Sequence, residues 1–166
     1  MDAQLSTHII QALAVKDCEL VSQCNQETSK YGLTLTDKEI TQLQVQRFEA
    51  LKSSGRVEFG QGILRPLIMK FCDSQFIHKS NYAETLAALQ EMFYYFKTES
   101  GDYLSDNELL TIMKSIFDGA AQGSLEYLNS MGLETICRAI KGCDVDEGDD
   151  EVYEDEEYGE EDEYDV

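Results

Sequence analysis

Basic residues are scarce in this chain: 13 Lys and Arg stand against 33 Asp and Glu, a formal net charge of −20. Without a stripe of Lys and Arg there is little to neutralise phosphates, which argues against nucleic acid as a partner. An anionic membrane surface is disfavoured for the same reason. No run comes near the roughly eighteen apolar residues that a bilayer-spanning helix needs. The N-terminus, MDAQLSTHII, has Asp2 where a signal peptide carries Lys or Arg. Histidine occurs only twice, as His8 and His78, and proline once, as Pro66. With two histidines, no local sequence signature sets a Cys or Ser nucleophile beside a base and an orienting carboxylate. Gly-rich phosphate loops, HExxH and GxSxG are missing as well. Neither a reaction nor a cofactor is named by any local motif.

Cysteine is present but not in a ligating pattern. Cys18 and Cys24, like Cys137 and Cys143, are six residues apart, and Cys72 stands alone. On a helix that spacing points the two thiols to different faces, and it misses the two-to-four spacing of a structural zinc knuckle. An odd number of cysteines without a secretion signal reads as reduced thiols in a cytoplasm.

The acidity is concentrated at one end. Residues 144–166 hold 15 of the 33 acids and no Lys or Arg, whereas residues 1–143 hold 18 acids against 13 bases. The chain therefore divides into a helical domain, 1–143, and an acidic tail, 144–166. The tail has too little apolar surface to offset its ordering entropy and is expected to be disordered. Tyr153, Tyr158 and Tyr164 interrupt its acids. They are candidate anchors for docking on a basic surface of a partner protein.

Hydrophobic periodicity predicts helices almost throughout the body. A first amphipathic stretch runs from about Leu5 to Glu27, and Gly32 suits the left-handed residue that ends a helix. Thr36 with Glu39 and Ser105 with Glu108 form two capping boxes, and Asn81 with Glu84 is expected to cap the long central helix. Behind the first box, Ile40, Leu43, Phe48 and Leu51 are expected to face inward. Gly62 to Cys72 is mostly apolar, with Pro66 either in the first turn of its helix or kinking it. The central helix, from Asn81 to Glu99, presents Tyr82, Leu86, Leu89, Met92, Phe93 and Phe96 at steps of three and four. Leu109, Ile112, Met113, Ile116 and Phe117 follow on the next helix. Ser124 to Leu128 reads as a separate turn before a last helix marked by Leu133, Ile136, Cys137 and Ile140. The predicted fold is all-α, a compact bundle of six or seven helices. Alternating residues near Leu33 and Val57 add the option of a minimal two-stranded ribbon.

Three places in this bundle are candidates for function. Tyr94 and Tyr95 extend the aromatics of the central helix beyond one face, as a protein-binding patch would. The segment 97–108 resembles the back half of an EF-hand, with Glu108 as its last ligand and Glu99 and Asp102 as further oxygens. Lys97, however, occupies the first ligand position and offers no oxygen. Cys72 and His78 form the only nearby Cys–His pairing, and an enzyme would have to assemble its site around them in three dimensions.

The runs RFEALKSSGRVEFGQGIL, CDSQFIHKSNYAETLAALQEMFYYFKTES and LSDNELLTIMKSIFDGAAQGSLEYL resemble those of an uncharacterised family of small bacterial helical proteins, a domain of unknown function. The resemblance covers most of residues 4–142. It implies one helical domain of bacterial cytoplasmic origin and carries no activity, cofactor or site. The best functional expectation is a non-catalytic protein-interaction or accessory module. A cation-responsive helix pair at 97–108, or an enzyme near Cys72 and His78, are the alternatives.

Overall fold

A computed structural model describes residues 15–143 apart from 17, 59 and 61, with the side chain of residue 143 also outside the described set. The acidic tail with Tyr153, Tyr158 and Tyr164, the start of the first amphipathic stretch and His8 lie outside it. Among the described residues the fold is all-α, with six α-helices and no strand. Residues 18–28 form α1, and a 3-10 turn at Ser29–Tyr31 follows. The others are α2 (Asp37–Ser53), α3 (Leu64–Phe71), α4 (Tyr82–Glu99), α5 (Asp106–Asp118) and α6 (Leu125–Cys143).

Local chemistry explains most boundaries. Gly32 takes the left-handed conformation at φ 73°, so the chain turns there at no Cβ cost. Thr36 and Ser105 each accept the backbone N–H three residues on, while Glu39 and Glu108 reach back to the cap N–H, and both capping boxes are complete. Pro66 falls in the first turn of α3, where its missing N–H has no intrahelical partner to lose. Asn81 departs from expectation. Its side chain makes no cap for α4; Oδ1 accepts from the His78 N–H at 2.7 Å and Nδ2 donates to the Phe76 carbonyl. The amide is used to fold the 76–81 loop, which is a competing use of the same short polar side chain.

Among the described residues no ribbon forms. Leu33 and Leu35 are buried in the core as anchors, and Val57 stands 79% exposed. Glu58 is held by an ion pair: the Arg47 guanidinium, 3% exposed, donates to Glu58 Oε1 from Nε at 3.1 Å and from a terminal nitrogen at 2.6 Å. Tyr94 Oη donates to the same carboxylate oxygen at 3.0 Å. Gly62 is required beneath this cluster, since a Cβ there would lie 2.4 Å from Arg47 Nε. Arg47 therefore takes the inward position of α2 that periodicity assigned to Phe48, which is 43% exposed.

α4 lies at the centre. Its inward stripe of Tyr82, Leu86, Leu89, Phe93 and Phe96 is buried, while Met92 is only partly so. α2 packs along one side, with Gln90 Nε2 donating to the Leu43 carbonyl at 3.0 Å. α6 packs along the other as one continuous helix, where sequence suggested a break before Leu133. Gly132 makes that close approach feasible: a Cβ there would sit 2.7 Å from the Phe96 ring. Leu43 and Arg47 of α2 meet Gln90 and Tyr94 in ascending order, so α2 and α4 run the same way. Gly123, just before α6, abuts Phe76, just before α4, and Gly132 abuts Phe96, so α6 runs that way too. α3 and α5 close the other side of α4, with Phe71, Phe76 and Phe117 edge to face at 5.6 and 6.2 Å.

Candidate functional site

The parallel layer of α2, α4 and α6 leaves the outer face of α4 uncovered. There α4 carries a second stripe at helical spacing: Glu84, Ala87, Ala88, Glu91, Met92, Tyr95, Thr98 and Glu99. The facing stripe of α2 is Gln46, Glu49, Ala50 and Ser53, and Asn129 stands opposite on α6. Together these residues line an open groove of about 1140 Å³. Short side chains at Ala50, Ser53, Ala87 and Ala88 make its floor, because they stop well below the level of their neighbours. Glu84 to Glu99 is fifteen steps of helix, or about 22 Å along the axis.

The groove's charge is of one sign. Glu49, Glu84, Glu91 and Glu99 contribute four carboxylates, and no Lys or Arg lines it. Elsewhere in the body six acids are paired with bases: Glu58 with Arg47, Asp102 with Arg56, Asp106 with Lys97, Asp73 and Asp118 with Lys114, Glu134 with Arg138. Among the described residues none of the four groove carboxylates has such a partner.

Both tyrosines expected to form one patch line the groove, with very different exposure. Tyr95, 45% exposed, stands at the groove. Tyr94 is 1% exposed, and burial followed by the neighbouring Glu58 charge pushes its phenol well above the usual tyrosine range. Its ring belongs to the core and to the Arg47–Glu58 cluster. The groove's other residues were missed because Ala and Glu on a helix normally read as a solvated face. The signal in the sequence was the second periodic stripe, from Glu84 through Ala88 and Glu91 to Tyr95.

The oxygens of the 97–108 segment do not converge. Asp102, in the left-handed region at φ 61°, is held by Arg56 through contacts of 2.5 and 3.1 Å. The Arg56 hydrogen bonds keep the Asp102 carboxyl below its usual range. Glu108 is occupied by its capping box, whose Ser105 hydroxyl and N–H lower its pKa. Glu99 stands at the groove instead. The Lys97 ammonium donates to the Leu104 carbonyl and pairs with Asp106 at 2.9 Å, so a tethered cation occupies this corner. Among the described residues no three His, Cys, Asp or Glu side chains are placed to hold a metal ion.

The Cys72 thiol is buried and donates to the Met69 carbonyl at 3.5 Å; burial first, then the Asp73 charge, raises its pKa. A thiol so placed is a poor nucleophile at neutral pH. His78 is exposed and is fixed through its backbone N–H to Asn81. The geometry thus gives neither partner the activation that catalysis by this pair would need.

Fold and groove together define an all-α domain with an acidic recess along its central helix. The chain belongs to a family of unknown function (DUF6323), whose model matches residues 20–145. No curated protein and no solved structure matches it. Among the described residues no helix is long and apolar enough to cross a membrane.

Proposed function

We propose that this protein is a non-catalytic interaction module of the bacterial cytoplasm, and that the α2–α4–α6 groove is where it meets a protein partner. The observation that carries the reading is the groove itself: about 1140 Å³ of open recess along the central helix of the fold, with a floor of small side chains. An open trough with four carboxylates and a tyrosine suits a protein segment better than a small molecule, which prefers an enclosed apolar cavity with a few polar groups. The free thiols of Cys18, Cys24, Cys72 and Cys137 support the cytoplasmic placement.

Chemical cross-linking and capture from native extract tests the reading. Three baits would be compared: the full chain, the full chain with Ala88→Trp to fill the groove, and a chain ending at Cys143. A partner held by the first and third and lost by the second is the expected result. A partner that follows the tail would move the function to residues 144–166. Equal capture by all three, or no capture at all, would overturn the groove reading.

A further inference from the structure

Resting on that reading, we propose that the groove takes a Lys- and Arg-rich amphipathic helix of a partner protein. Three observations select this occupant. First, the α4 residues that line the recess span about 22 Å, which matches a helix of about four turns. Its floor of Ala50, Ala87 and Ala88 lets an apolar helix face approach closely, as helices pack into grooves elsewhere.

Second, the rim selects charge. Glu84 and Glu91 are one heptad apart on α4 and Glu49 of α2 lines the same recess, with no internal cation among the described residues to neutralise any of them. A docked helix with bases flanking its apolar face supplies the missing counter-charges at a register set by the rim. An acidic or neutral helix would leave like charges facing one another or carboxylates desolvated without a partner, either of which penalises the wrong occupant. Third, the chain's own tail is a poor competitor. Residues 144–166 carry 15 acids and no base, so the groove repels them. The same tail attracts a basic partner from a distance, which raises the rate of encounter without filling the site.

The test uses full-length protein and synthetic peptides of about four helical turns, identical on a leucine face but carrying Lys or Glu on the polar face. Binding would be followed by fluorescence anisotropy and located by NMR shifts on labelled protein. The Lys peptide should bind and shift Ala87, Ala88 and Tyr95. Its affinity should fall at least about tenfold, ~1.4 kcal/mol, in Ala88→Trp and in Glu49→Gln/Glu91→Gln. The second variant changes only exposed side chains and guards against a folding defect in the first; thermal melts of both establish that each is folded. Failure of the Lys peptide to bind overturns the proposal. So does unchanged binding to both variants, which would place the peptide on the tail, or equal binding of the Glu peptide. If the peptides fail while Ala88→Trp still loses a captured partner, the interaction reading stands and only the partner's chemistry is wrong.

Discussion

Phe93 is 1% exposed, with its ring edge-on to Tyr94 at 5.4 Å. Phe93→Ala should cost about 3–5 kcal/mol, the range for emptying a buried aromatic site. A melting temperature left in place by that change would mean α4 is not the centre of the core. Gln44 makes the opposite prediction. Its amide is 3% exposed, and among the described residues nothing accepts from its Nε2 or donates to its Oε1. A buried amide without partners costs about 1–3 kcal/mol, so Gln44→Met should raise the midpoint of urea unfolding; a lower midpoint would show that the amide is satisfied. Gln44 and Arg47 also mark where periodicity misleads. Helical spacing places 44 and 47 inward as readily as 48, and hydrophobicity alone favoured Phe48. The deciding term is Glu58, eleven residues from Arg47, together with Tyr94 on another helix. No local pattern announces a pairing of that kind.

Among the elements, α6 depends on a single missing methyl group. Gly132→Ala gains about 1 kcal/mol of helix propensity. It also drives a Cβ to 2.7 Å from the ring of Phe96, which is fully buried and has no free end to swing aside. Overpacking of a core costs about 1–3 kcal/mol, so the substitution should be net destabilising, measured as a lower thermal midpoint. A rise would mean α6 can slide off α4. The continuity of α6 was not legible for the same reason: the gap in apolar spacing between Leu128 and Leu133 read as a break, whereas Gly132 there is a contact in space. The two capping boxes, by contrast, were legible in full, because every atom they need lies within four residues. Asn81 fails this rule only by serving the loop behind it rather than the helix ahead.

Across the whole molecule, pH should act from both ends. Hydrogen bonding to Lys114 lowers the Asp73 pKa from 3.8, and bonding to Arg56 lowers that of Asp102 likewise. A carboxyl depressed in the folded state stabilises above its unfolded pKa and loses that contribution as pH falls through the folded value. Stability should therefore hold from neutrality to about pH 4 and decline below it. Both carboxylates are more than half exposed, so each pair is worth about 0–1 kcal/mol and the decline is shallow. Asp102→Asn should remove part of it. On the alkaline side, burial raises the Tyr82 phenol from 10.0 to about 12. A raised pKa contributes stability below the unfolded value, lost as pH rises through the folded one, so unfolding should set in between pH 10 and 12. Ultraviolet titration of the phenolates, run beside circular dichroism, checks this; early ionisation of Tyr82 in the folded chain would refute it. At this scale the all-α class was readable from periodicity. The groove was not, because it is a product of which helices run side by side.

That shared direction has one more consequence. α2, α4 and α6 are 17, 18 and 19 residues long, and all three run the same way past the recess. Their backbone dipoles add instead of cancelling, leaving partial positive charge at the Glu84 end and partial negative charge at the Glu99 end. The recess is therefore polar along its length as well as acidic across it. A helix lying in it has a preferred heading, antiparallel to α4 with its own N-terminus toward Glu99, by a few tenths of a kcal/mol to about 1 kcal/mol at low salt. Rim charges could choose the partner while aligned peptide groups choose which way round it lies.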